Sequence, residues 1–508
     1  MPDILRGRPH VAPMDSAEAA TIDPRPSVKG RWARSLVGLV CAAVSIGTTC
    51  TRQPPPTAMP VDVANLPRPS AADWNTFAWE SFVASNWPVA PEGRGLPDPA
   101  QRIGATDSSG VSVPVVWMTS KGVSDVFLPK GAPPDPNWQT QVPVDACRSQ
   151  RSYDSASSYV LGMVAKGHPA AYTALDQAPF PGSKLVIGPL IDQAGNYVRY
   201  DIRMSQSEFS YFLNYKYYNA AEQIAAVTKD PPAFYAPPKS GKESYLQNLP
   251  PSARYGAVEY KASWRVLNPN VDIVSRYFTA SAFFVNPDGT CEGPRLMGLT
   301  GLHILRLTES TPATWFWATF EQVDNLRVPN PPPTRPTGQP LTPTFGDGKK
   351  VFPAGYRDMP KPVQPGKPLP PLPPVDVSRV IPIQSDSMAV TQSYQRTLAK
   401  TVWQHYELVG VQFPVSPMVN GQPQGTAQGK GQCYVAGIDH DTQPEFQLND
   451  CYLANVSMET YVQSTSCATC HSYGAPQGVG RTSRGRPKFD ALVKFQIFTF
   501  MLLQAQSP

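Results

Sequence analysis

Several familiar signatures are missing from these 508 residues. There is no glycine-rich phosphate loop, no Walker motif, no His-Glu-x-x-His and no Gly-x-Ser-x-Gly, so nucleotide hydrolysis, zinc proteolysis and serine-hydrolase chemistry have no footing. Charge is sparse at 16% Asp, Glu, Lys and Arg, and the net +5 splits as +2 in residues 1–50 and +3 beyond. No basic stripe forms, which argues against a nucleic-acid partner. Past residue 50 no apolar run is long enough to span a bilayer.

Proline, by contrast, is abundant, at 59 residues. It points to turns, irregular backbone and strands more than long helices. Sixteen prolines crowd into 329–374, in runs such as "NPPPTRPTGQPLTP" and "KPVQPGKPLPPLPP". Such a stretch lacks the donors for a sheet or helix and is expected to run extended over the surface. On size the chain should form two or three domains.

Near the start, Lys29, Arg31 and Arg34 precede an apolar run from Leu36 to Gly47. That is the pattern of an export signal with a short hydrophobic core. Cys50 follows where a lipoprotein cysteine would sit, although "GTT" before it lacks the leucine-like residue of a good lipobox. The expected location is therefore periplasmic or secreted, with membrane contact only if Cys50 is lipidated. The organisation read from the sequence is a signal region at 1–50 and a Pro-rich tether at 51–70. An α+β domain at 71–328, a Pro-rich linker at 329–376 and a helical region at 377–508 follow.

The first element expected after the tether is a helix in "ADWNTFAWESFVASNWP", with Asp73 as N-cap, Trp74, Phe77 and Phe82 on one stripe and Pro88 ending it. Tyr197–Met204 alternates like a strand. Ser205 and Glu208 make a capping box for a helix to about Val227, whose Tyr211, Tyr215, Tyr217 and Tyr218 read as packing residues. Four strands fill 255–326. In "EYKASWRVL" Tyr260, Ala262, Trp264 and Val266 share one face, with Glu259, Lys261 and Arg265 opposite. Short connections imply antiparallel pairing. Helices are expected at 387–410 and 455–466, and in the apolar tail "FDALVKFQIFTFMLLQAQ", where a strand is the alternative. The fold class is α+β, a central antiparallel sheet with flanking helices, a Pro-rich connector and a short, mostly helical C-terminal segment.

Six cysteines follow residue 50. Cys467, Cys470 and His471 form Cys-x-x-Cys-His in "STSCATCHSYG". The other four suit disulfides in an exported chain: Cys433 with Cys451, a closure worth about 3 kcal/mol, and Cys147 with Cys291. The motif has three readings. Two thiols reaching two vinyl groups from one turn, with an imidazole next to them for iron, is the signature of covalent c-type haem. A redox dithiol would need only the cysteines, in a βαβ setting that is not evident. Structural zinc would need two further ligands, and the nearby thiols Cys433 and Cys451 are 18 residues apart. Export favours haem c, one per chain.

The segment leading into the motif resembles the first helix of class I cytochromes c. That resemblance implies thioether links at Cys467 and Cys470 and an iron ligand at His471. It departs afterwards, because only Met501 follows and no closing helix comes after it. More broadly, "FAWESFVASNWP", "GLTGLHILRL", "WFWATFEQVDN" and "METYVQSTSCATCH" resemble a family of exported bacterial proteins with one C-terminal c-type haem motif. The resemblance implies architecture and export, and no particular reaction.

Candidates for a second iron ligand are His168, His303, His405, His440 and Met501. Met501 is the ordinary cytochrome choice and would raise the potential. His303 is read as sharing a strand face with Leu299, Leu305 and Leu307, His405 as lying on the 387–410 helix, and His440 as a solvated residue in "GIDHD". The function expected is electron transfer by a mono-haem redox protein, with a redox protein or a small-molecule donor or acceptor as partner. The alternatives are a haem-dependent oxidoreductase or peroxidase-like enzyme with an open distal site, favoured by the size of the chain, and a haem-based sensor.

Overall fold

A computed structural model describes residues 58–66, 69–91, 93–162, 188–311, 315–346, 359–361, 363–364, 366–419, 422–423, 433–434, 446–471, 474–479 and 499–507. The expected signal region, Cys50, His168 and His440 lie outside these residues. Gln53–Pro508 forms one compact unit.

The fold is α+β around an eight-stranded sheet. Its strands are β1 (Lys121–Gly122), β2 (Tyr159–Leu161), β3 (Arg199–Met204), β4 (Val258–Val266), β5 (Thr279–Val285), β6 (Cys291–Arg306), β7 (Phe316–Gln322) and β8 (Tyr406–Gln412). They run in the order β8-β7-β6-β4-β3-β1, and β5 pairs with the first half of the long β6. All these pairings are antiparallel except β2 with β5, so the sheet is mixed rather than purely antiparallel.

The alternation read in β4 holds, and it gives the sheet two different faces. Tyr260, Ala262 and Trp264 join Leu302, Ile304, Ala318 and Phe320 in the main core. Helix α1 (Ala71–Ser85) covers this face together with α4 (Ser385–Thr397), which follows α2 and α3 below in the chain. Its N-cap is Ser70 rather than Asp73, and Asp73 is the third residue of the helix, completing the capping box. Trp79 stacks on Tyr394 of α4 at 5.1 Å.

On the opposite face two cross-strand rows form. Ile202, Lys261, His303 and Thr319 stand side by side, and Met204, Glu259, Leu305 and Trp317 make the next row. Leu299 is not on this face. A register shift between Ser263 and Trp264 sets Leu299 opposite Trp264, in the core.

Three helix expectations are corrected. The helix after Ser205 splits into α2 (Gln206–Tyr215) and α3 (Ala220–Thr228), because Lys216 takes a left-handed conformation (φ 57°). Tyr211 and Tyr217 are buried between these helices and their neighbours, in the packing role expected. The 387–410 helix ends at Thr397. Lys400 is left-handed (φ 72°), Val402–His405 is a 3₁₀ turn, and "YELVGVQ" pairs with β7 as β8. Residues 455–466 turn without becoming helical. Asn455 ties the turn to the sheet: its Oδ1 accepts from the Ser457 amide at 2.9 Å, and its Nδ2 donates to Thr319 Oγ1 and the Phe320 carbonyl. The segment also lies hard against β6, where a Cβ at Gly301 would come within 2.6 Å of Ser457 Oγ. Only Cys467–His471 (α5) is helical there, and the described part of the tail is a 3₁₀ turn, Phe500–Gln504. The cytochrome-like helix expected before the motif is therefore not seen.

The Pro-rich stretch runs without helix or strand in its described residues, as expected, but it does not divide the unit. Leu341, Phe345, Val375 and Val377 are buried, and the Val377 amide donates to the Phe345 carbonyl. No helix among the described residues is long and apolar enough to cross a membrane.

Cys147 and Cys291 are joined, as expected. Cys451 is also disulfide-bonded. A small sheet of β9 (Pro414–Val419), β10 (Gln422–Pro423), β11 (Cys433–Tyr434) and β12 (Phe446–Leu448) sets the Cys433 backbone opposite Leu448, close in sequence to Cys451. Non-reducing peptide mapping is expected to return Cys433 and Cys451 in one linked fragment. A Cys451 linked to any other cysteine would contradict this pairing.

Candidate functional site

A cavity of about 110 Å³, opening into a wider mouth, lies on the sheet face that carries Glu259, Lys261 and His303. Ile202, Glu259, Lys261, His303, Leu305 and Trp317 supply the sheet wall. Cys467, Cys470 and His471 of the motif line it as well, as do Phe500 and Met501 of the terminal 3₁₀ turn. The structure thus gathers the motif, Met501 and His303 around one space, although they come from widely separated parts of the chain.

Local chemistry explains the placement. The α5 turn is tied to the sheet by the Ala468 amide, which donates to Gln412 Oε1 at 3.1 Å, and Ala468 itself is fully buried. The Cys470 amide donates to the Ser466 carbonyl at 3.0 Å. Cys467 is half-buried, Cys470 is buried, and both are thiols. A spacing of three puts them on one side of a helical turn. The His471 ring sits between two aromatic groups, with Trp317 at 5.8 Å edge-on and Phe500 at 5.1 Å. Just beyond it, the chain passes so close to Thr499 that a Cβ at Gly474 would lie 2.5 Å from the Thr499 backbone. That approach brings Met501 to the cavity, its amide held by Thr499 Oγ1 at 3.1 Å.

His303 Nε2 meets Glu459 Oε1 at 3.3 Å, and Glu459 in turn accepts from the Asn455 amide at 3.0 Å. Glu259 is 5% exposed and accepts from Thr499 Oγ1. Burial pushes its carboxyl up to about 7, against the lowering effect of hydrogen bonds with Thr499 and Glu208. Glu208, on α2, is raised well above the usual carboxylate range by burial and by the charge of Glu259. The sequence places Glu208 in a helix capping box and Glu259 on the strand face opposite Tyr260, and does not bring the two together. The even spacing of Glu259, Lys261 and Ser263 along β4 was the available signal. Two buried polar atoms on the cavity lining have no partner among the described residues, Trp317 Nε1 and Gln504 Oε1.

His405 is not part of this site. It ends the 3₁₀ turn before β8, near the Arg276–Asp324 ion pair, and burial followed by the Arg276 charge lowers its pKa to about 4. Because the unfolded imidazole binds its proton near 6.5, folding stability is expected to decline as pH falls from about 6.5 to 4. An NMR titration should place the His405 inflection near 4. An inflection near 6.5 would contradict the burial argument.

The 387–410 segment packs on the far face of the sheet through α4. Among the described residues, no group of three or more His, Cys, Asp and Glu side chains is gathered to hold a bare metal ion. The space is lined by apolar and aromatic groups with a few polar ones, the kind of lining that receives an organic cofactor. Two adjacent thiols, an imidazole beside them and a thioether sulfur in the same lining form a donor set that a haem could use. Comparison with family models, curated proteins and solved structures finds no match for this chain.

Proposed function

We propose that the protein is an exported mono-haem c-type redox protein that transfers electrons. The observation that carries the reading is the convergence of Cys467, Cys470, His471 and Met501 on one largely apolar cavity. When bound there, a haem would supply a one-electron couple. Cys467 and Cys470 would hold it covalently, and His471 would ligate the iron, its ring held by Trp317 and Phe500. Met501, buried at 2% exposure, offers the second ligand. The mostly apolar lining around such a group would help set its potential.

A second reading has its own support. Lys261, His303, Glu259 and Glu459 all line the same space, more polar groups than a simple electron carrier needs. They suit an oxidoreductase that acts on a small molecule, with the sixth position open and His303 at hand for proton transfer. Optical spectra of the reduced protein with and without carbon monoxide decide between the two. A spectrum unchanged by the gas, and altered in Met501→Ala, supports electron transfer. Prompt gas binding by the wild type supports the enzyme. A chain that takes up no haem from the attachment machinery refutes both.

A further inference from the structure

Glu208 and Glu259 are an unusual pair. Glu208 is fully buried on α2, and no N–H or O–H donor among the described residues reaches either of its carboxyl oxygens. What its carboxyl does meet is the carboxyl of Glu259 on β4, which lines the cavity. Two carboxylates in contact away from water repel and stay unsolvated, and a single proton between them turns the contact into a hydrogen bond. Among the described residues, no cation is set against Glu208. Tyr211 of α2 and Tyr260 of β4 are neutral phenols near it, and Thr499 of the terminal segment donates a hydroxyl to Glu259. Lys261 on β4, His303 on β6, and Glu459 and His471 of the C-terminal segment line the same cavity. Lys261 and His303 stand in the neighbouring cross-strand row.

We infer that Glu208 and Glu259 form a proton-binding site that shares one proton at neutral pH and takes up or releases a proton when the charge of a group bound in the cavity changes. The inference rests on the redox reading above. Atoms and charge balance simply: one electron from an external one-electron reductant enters the cavity group, and one proton from water joins the pair, so that a carboxylate becomes a carboxylic acid. Reoxidation reverses both. Elevation of both carboxyl pKa values by burial agrees with the geometry. The pair also leaves a trace in stability. Carboxyls that hold their protons more tightly when folded make folding stability fall as pH rises from about 4.5 through about 7.

Three measurements on the full, loaded protein test this, using wild type, Glu208→Gln and Glu259→Gln. Infrared spectra should show the carbonyl stretch of a protonated buried carboxyl in the wild type at pH 7. Each variant should lose or shift that band. The midpoint potential, with dithionite as reductant, should fall as pH rises from about 6 to 8 in the wild type and flatten in both variants. The denaturant midpoint should show the same pH slope in the wild type and less of it in the variants. Absence of the infrared band from the wild type overturns the shared proton even if a variant does not fold. A wild-type potential that does not change with pH overturns the coupling while leaving the haem reading intact. Failure to bind haem refutes the proposed function, and with it the coupling, whereas the infrared band still decides whether the proton is shared.

Discussion

Serine at both Cys467 and Cys470 should give a chain from which all haem leaves on acid–acetone extraction, whereas the wild type, made with the haem-attachment machinery, keeps its colour and the added mass. The contrast is complete retention against none, because only a thioether survives that solvent. The substitution is gentle to the fold. Serine is close in size to cysteine, and the turn that carries both residues is anchored by Ala468 and by backbone bonds that do not involve the sulfurs. Each single variant should retain haem through one remaining link. Circular dichroism of the double variant should match that of the wild type before haem loading. Haem that extracts from the wild type would remove the covalent reading, and with it the reason for the Cys-His spacing.

The second large effect concerns Cys147 and Cys291, which are 144 residues apart in sequence. Closing so long a loop restricts the unfolded chain strongly, and the chain-entropy relation puts the contribution at about 5 kcal/mol. Cys147 is fully buried, and Cys291 opens β6, the strand that reaches His303 further along. Alanine at both positions is expected to lower unfolding stability by roughly that amount in denaturant titration. Production in a reducing compartment should reproduce the loss without any mutation. A change below about 1 kcal/mol would mean that the unfolded chain is already compact around this link.

Much of the sheet was legible because alternation along a strand is a local property. Tyr260, Ala262 and Trp264 declared one face of β4 within five residues, and the antiparallel pairing of its neighbours followed from short connections. The motif was legible for the same reason, since its chemistry lies within five residues. The cavity was not. His303 and Met501 meet the motif only through the register of β4 on β6 and the close passage at Gly474, and neither leaves a mark within a short window. Errors arose where side chains overrule local propensity. The 455–466 segment is held as a turn by the bonds of Asn455 to Ser457, Thr319 and Phe320, and the helix after Ser385 stops at Thr397, ahead of the left-handed Lys400. Glu208 occupied a good capping position in the sequence, yet its partner lies 51 residues away.

The sheet's two faces have a bearing on how such a molecule could be remodelled. Alternate residues of the same strands serve unrelated ends: Tyr260, Ala262, Ile304 and Ala318 hold the molecule together, while Lys261, Glu259, His303 and Trp317 border the cavity. Substitution on one set leaves the other set's neighbours in place, so the cavity is open to redesign by point changes, and the scaffold tolerates them as far as packing beneath Trp317 allows. Insertion or deletion of one residue within β4 is another matter, because it turns every side chain beyond it to the opposite face. Variation of this architecture should therefore proceed by exchange of side chains at constant strand length, with length changes confined to the loops.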